Sequence, residues 1–165
     1  MKRGGFTLIE LLVVMAILVV LITLGSKGIR SARINAKKAQ ARVEMASIET
    51  AVKSYINKYG KMPVEDSLQG ESDFSFAPEI ITVLTGEDAG LNPAGTVFLE
   101  PQSGVGGGIF LDPWGEPYLI VVDSDYDGQV EIRGEAVARN VALMSVGLYE
   151  LDTDVGENNL IRSWE

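Results

Sequence analysis

The chain has 165 residues, a formal net charge of −9 from 14 Lys+Arg against 23 Asp+Glu, and 46% apolar residues. That suits one ordinary domain with an appended element, and it is too apolar and too weakly charged for a disordered chain. With neither Cys nor His, disulfides, thiolate metal sites, imidazole ligands and Ser-His-Asp chemistry are excluded.

The charge is unevenly placed. Residues 1–62 carry 11 Lys+Arg and 3 Asp+Glu, whereas residues 63–165 carry 3 and 20. The acidic back half repels phosphates, so no nucleic-acid partner is expected.

Residues 6–25 read FTLIELLVVMAILVVLITLG, 20 residues with one charge, Glu10. A helix needs roughly 20 apolar residues to cross a ~30 Å hydrocarbon core, so a transmembrane helix is predicted there. A cleaved secretory signal peptide is the plain alternative. Nothing resembling its A-x-A site follows, and Gly25-Ser26-Lys27-Gly28 is a poor substitute. A carboxylate inside such a span costs about 2.5–3.5 kcal/mol and calls for a partner. No Lys or Arg lies within the span. The partner has to come from elsewhere, one candidate being a free amine made by cleavage nearby.

Lys2-Arg3-Gly4-Gly5, followed by Phe6-Thr7-Leu8-Ile9-Glu10-Leu11-Leu12-Val13-Val14, resembles the class III signal of type IV prepilins and type II secretion pseudopilins. The resemblance implies that residues 1–5 are a leader, cut after Gly5 by a prepilin peptidase that also N-methylates Phe6. It implies that Glu10 pairs with the Phe6 amine of a neighbouring subunit during assembly. It also implies a single pass of the inner membrane with the head in the periplasm. Lys27, Arg30, Arg33, Lys37, Lys38 and Arg42 outnumber the leader's two positives, and charge counting alone gives the opposite orientation. The processing motif is the more specific signal.

No Pro interrupts residues 1–62. Ala32, Ala36, Ala39, Val43 and Ala46, then Ile48, Val52, Tyr55 and Tyr59, recur at three- and four-residue steps. This predicts an amphipathic helix continuing through 26–62. A single helix over 6–59 spans about 81 Å at 1.5 Å per residue. Gly60 makes a C-terminal cap and Pro63 follows at the expected distance. So long an apolar helix exceeds what the head can cover, which favours packing between copies.

Residues 63–165 read as a globular head. Tyr59-Gly60-Lys61-Met62-Pro63 resembles the pseudopilin junction, with Met62 in place of the usual aromatic. Residues 64–94 read as a polar, partly helical loop, and Ile80, Ile81, Val83 and Leu84 predict a short buried helix after Pro78. The glycine run at 103–108 lacks the Lys-Ser/Thr of a phosphate loop, so nucleotide binding is not expected. Asp112-Pro113-Trp114-Gly115 has the chemistry of a turn. Extended through Glu116-Pro117-Tyr118, it resembles the D-P-W-G-x-P-Y of type II secretion major pseudopilins. Strands are predicted over 117–122, 130–133 and 141–146 in one antiparallel sheet packed on the helix. The fold class is α+β and pilin-like: a long N-terminal helix packed on a small antiparallel sheet.

Two acidic stretches raise the question of structural Ca²⁺. Asp123, Asp125 and Asp127 before Gly128 begin like an EF-hand loop, but Gly134 stands at the twelfth position, where a bidentate Glu belongs. The alternative is a hairpin turn on Asp127-Gly128, the favoured type I′ pair. The second stretch, from Ser145 to Trp164, resembles the C-terminal calcium loop of the major pseudopilin. Tyr149, Asn158 and Leu160 stand where acidic residues are usual. Ser145, Asp152, Asp154 and Asn158 are the ligands it implies, with affinity in the weak ~10⁻⁴–10⁻³ M range.

The reading is a structural subunit rather than an enzyme: a pseudopilin that polymerises into the periplasmic filament of a type II secretion system. The resemblance implies other pseudopilins and an inner-membrane assembly platform as partners. A type IV pilin for adhesion or motility is the alternative, and a membrane-anchored calcium-dependent binding module is a third.

Overall fold

The computed structural model describes residues 7–65, 77–100, 109–145 and 160–164; for residues 23–30 and 77 it describes the backbone alone. The chain divides into two compact units, residues 1–37 and 38–165. Helix α1, Leu8–Tyr59, contributes to both.

In the first unit the described side chains of 8–22 are all exposed, Leu8 at 83% and Ile22 at 70%. They are almost entirely Leu, Ile, Val and Met, so the sequence places apolar residues around the whole circumference rather than on one stripe.

The second unit begins on α1 and continues through α2 (Ala77–Thr85), β1 (Leu119–Val122), β2 (Val130–Ile132), β3 (Glu135–Val137), β4 (Val141–Ser145) and β5 (Ile161–Arg162). Helix α1 buries Ala41, Met45, Ile48, Val52 and Tyr55, a stripe at steps of three and four. The periodicity at Ala32, Ala36, Ala39, Val43 and Ala46 does not join it, since these residues are exposed. Ala46 and Ile48 lie about 200° apart around the helix, so the two runs occupy different faces. The head covers the face with the larger side chains, which remove more apolar area from water. Gly60, at φ +72°, ends the helix and donates its N–H to Ile56 O at 2.7 Å, the expected left-handed cap.

β1, β4 and β5 form one antiparallel sheet in that order. Leu119 lies opposite Met144, and Ser145 opposite Ile161. β2 and β3 form a separate hairpin. The expected single sheet of three strands is therefore corrected: β2 pairs with β3, not with β1. Arg133 and Gly134, at φ +52° and +80°, sit between the paired Ile132 and Glu135. Positive φ at both positions is type I′ geometry, so the hairpin turn falls there and not at Asp127-Gly128.

This arrangement covers the main sheet on both faces. Ile120, Val122, Val141 and Leu143 face α1 and α2. Val121, Ala142 and Met144 face Val130, Ile132 and Val137 of the hairpin. All five residues of β4 are consequently buried, without the alternation of a half-exposed strand.

Asn92, fully buried, ties the helices together. Its Nδ2 donates to Val83 O and Thr96 O, at 2.9 and 2.7 Å. Its Oδ1 accepts the Tyr59 hydroxyl at 2.7 Å. Tyr55, whose hydroxyl donates to Leu91 O, stacks against Tyr59 and Phe98 with ring centres 4.7 and 5.6 Å away.

Ile48→Ala should cost about 2–5 kcal/mol, because it empties a packed site on the covered face. Val43→Ala, on the open face, should stay within about 0.5 kcal/mol. Urea unfolding of the two variants checks the assignment of faces; equal losses would overturn it.

Candidate functional site

Thr7 precedes the first turn of α1. Its Oγ1 accepts the Glu10 N–H at 3.3 Å, and Glu10 Oε2 accepts the Thr7 N–H at 2.8 Å and the Thr7 hydroxyl at 2.7 Å. This is a capping box, in which two orphan helix donors are satisfied reciprocally. Glu10 thus finds two hydrogen-bond donors within its own chain. Sequence reasoning missed this, although Thr7-x-x-Glu10 before an apolar run is its signature. Gly5 and Phe6 lie outside the described residues.

The turn after β1 brings Asp123, Asp125 and Asp127 together, with one carboxylate oxygen of each within 4.8 Å of the others. Asp123 is buried; the other two are exposed. Asp123 Oδ1 accepts the Asp127 N–H at 3.1 Å and Oδ2 the Gly128 N–H at 3.0 Å. The chain therefore turns around the Asp123 carboxylate. Tyr126, at φ +61°, projects from this turn, and its hydroxyl oxygen accepts the Met62 N–H at 3.1 Å. The acidic turn is thereby fastened to the end of α1.

In the Asp112–Tyr118 motif, Asp112 Oδ1 accepts the N–H groups of Trp114 and Glu116 at 2.9 and 3.0 Å. Gly115 N donates to Asp112 O at 2.9 Å, closing the turn. Asp112 Oδ2 accepts the Ser145 hydroxyl at 2.5 Å, which fixes the turn to the end of β4. Ser145, one of the expected calcium ligands, is a buried residue with its hydroxyl committed to this bond. Asp152, Asp154 and Asn158 lie outside the described residues, as does the glycine run at 103–108. Tyr118 donates to Glu44 Oε2 at 2.6 Å, joining the motif to α1. Burial, reinforced by the Glu44 carboxylate, pushes the Tyr118 phenol far above its ordinary range, so it remains a donor.

Residues 1–26 match the family model of the prokaryotic N-terminal methylation motif. The motif is the prepilin-type signal, and it contains Gly5, Phe6 and Glu10. It supports a pilin-related structural subunit that is processed by a prepilin peptidase and assembles into pilus-like filaments. The α+β head on its N-terminal helix is consistent with a pilin-like fold. No curated protein and no solved structure matches the chain. Among the described residues, no helix is long and apolar enough to cross a membrane.

Burial raises the Asp123 carboxyl above the ordinary carboxylate range, and Asp125 adds to the rise, against the lowering effect of the Gly128 and Tyr126 N–H groups. A carboxyl raised in the folded state binds its proton more tightly there than in the unfolded chain. Its contribution to stability is full below about pH 3.9 and is lost as pH rises through the raised value. Asp125→Asn should flatten that loss and raise the melting temperature at pH 7 while leaving it unchanged at pH 3. Thermal unfolding across that range checks this, and parallel pH profiles for the two proteins would refute it.

Proposed function

We propose that the chain is a pseudopilin, a structural subunit that stacks through α1 into the periplasmic filament of a type II secretion system. The observation that carries this is the pairing of a prepilin-type signal with an apolar helix end whose described side chains are all exposed. Such a surface is stable only in lipid or against other copies. In this reading residues 6–25 cross the inner membrane before assembly, with the head in the periplasm. What supports the secretion subunit over a pilus subunit is the resemblance of Asp112–Tyr118 to the D-P-W-G-x-P-Y of major pseudopilins.

Cleavage after Gly5 leaves the Phe6 amine one residue from Thr7. Glu10 then has two demands on it: its own helix cap, and the amine of an incoming copy. The substitutions Glu10→Gln and Glu10→Ala separate them. Gln keeps a capping box but carries no charge, whereas Ala loses both. Both variants should insert in the membrane and fail to form filaments. Filaments from Glu10→Gln would leave capping as the whole role of this residue. Mass spectrometry of the processed chain should find an N-terminal methylated Phe6, and a chain still beginning at Met1 would sink the reading.

Calcium enters as a structural ion. The Asp123–Asp127 turn offers converging carboxylates of a kind suited to weak binding at ~10⁻⁴–10⁻³ M. Calorimetry of the full chain in detergent should register heat at millimolar Ca²⁺ that Asp125→Asn/Asp127→Asn removes. Undiminished heat in that variant would exclude this turn as the source.

A further inference from the structure

Between Glu10 and Glu44 the chain carries no carboxylate, and the same stretch holds six cations, Lys27, Arg30, Arg33, Lys37, Lys38 and Arg42. The first stands two residues past Gly25, where the apolar run 6–25 ends. Helix α1 includes both the run and the cations. Their number puts them at odds with the orientation that the methylation signal implies, and the subunit reading gives them no task.

At 1.5 Å per residue, Lys27, Arg30 and Arg33 lie about 3, 7.5 and 12 Å beyond Gly25 along the helix axis. With the hydrocarbon boundary at Gly25, the polar layer of a leaflet extends about 5–7 Å further, since a ~30 Å core sits in a 40–45 Å bilayer. Lys27 falls inside that layer and Arg30 at its outer surface. Arg33, an exposed residue, stands about 5 Å beyond it, within the Debye length of ~8 Å at physiological salt. Lys37, about 18 Å from Gly25, falls outside that length. Side chains on a helix lean toward its N-terminus, here toward the apolar run, and a Lys or Arg stem lies along apolar surface while its charge stays in the polar layer. Residues 63–165, with 3 Lys+Arg against 20 Asp+Glu, are repelled by an anionic surface, so these cations are the part of the chain that such a surface attracts.

We propose that Lys27, Arg30 and Arg33 bind the phosphate groups of anionic lipids, in the leaflet through which the chain emerges after Gly25. Two observations select lipid as the occupant: the cations continue directly from the apolar run, and their spacing keeps three of them within electrostatic reach of the headgroups. Lys and Arg next to a membrane span are attracted to anionic headgroups, and the attraction fades within a Debye length. Such anchors set how deep a span sits in the bilayer. This inference rests on the reading of residues 6–25 as a membrane crossing and adds the class of lipid that holds it.

The test uses the full chain reconstituted in phosphatidylcholine vesicles, with spin-labelled phosphatidylglycerol or spin-labelled phosphatidylcholine as the probe. Electron spin resonance gives the ratio of their association constants. The wild type should prefer phosphatidylglycerol about fivefold, the effect of one near-surface cation on one headgroup, and should lose most of that preference between about 50 and 500 mM NaCl. Lys27→Gln/Arg30→Gln/Arg33→Gln should bring the ratio to within about twofold of one. Lys53→Gln, further along α1 in the second unit, should leave it unchanged. An undiminished preference in the triple variant, or an equal loss in Lys53→Gln, overturns the proposal. Displacement of the labelled phosphatidylglycerol by inorganic phosphate at constant ionic strength overturns it by assigning the cations to a free anion. No preference in the wild type, with self-association that the triple variant loses, overturns it by assigning them to the acidic head of another copy. Alkaline carbonate keeps the membrane reading separate: a wild type that it extracts from the vesicles overturns both, whereas one that stays inserted without the preference overturns this inference alone.

Discussion

The described side chains of residues 8–22 are all exposed. Their apolar side chains ring the helix, and the head's described core draws on α1 only from Ala41 onward. At about 25 cal/mol per Å² of apolar area, leaving this surface in water is strongly unfavourable. Everything else in the molecule accommodates that constraint. The helix start is capped by Thr7 and Glu10, which frees the backbone from seeking partners there, while the head stabilises the far end of the same helix by itself.

The head does so through polar connections as well as packing. Tyr118 to Glu44, Tyr59 to Asn92 and Tyr126 to Met62 each join α1 or its end to a segment distant in sequence. Each uses a tyrosine, whose ring packs on apolar neighbours while its hydroxyl reaches a backbone, amide or carboxylate partner. The Asp112 turn works in the same way, with one carboxylate holding two backbone donors and the Ser145 hydroxyl. These bonds fix how the sheet lies against the helix face that begins at Ala41.

Much of this was legible from local signals. The long Pro-free helix, its Gly60 cap and the short buried helix after Pro78 follow from periodicity and terminators, which act within a few residues. The turn chemistry of Asp112-Pro113-Trp114-Gly115 was equally local. The pairing of strands was not, because β1 finds β4 across an intervening hairpin, and no nearby residue specifies that choice. The hairpin turn was misplaced for a related reason: Asp-Gly is the commoner type I′ pair, yet tertiary packing put left-handed φ on Arg133. The covered face of α1 was blurred because small alanines and larger side chains both recur at helical spacing, and only the head's contacts distinguish them. Glu10 stood out by its cost in an apolar run, but its hydrogen bonds to Thr7 of its own chain were overlooked.

β5 carries a consequence for how the protein is made. Ile161 and Arg162 pair with Ser145 and Met144 of β4, backed by Ser163, whose N–H reaches Leu143 O and whose Oγ accepts the Leu143 N–H. At roughly 5–20 residues per second, the ribosome delivers this strand about 7–28 s after Ile22. The oily end of α1 must therefore find its surroundings while the sheet still has an open edge. Covering that end of the helix and folding the head become successive events, ordered by the direction of translation itself.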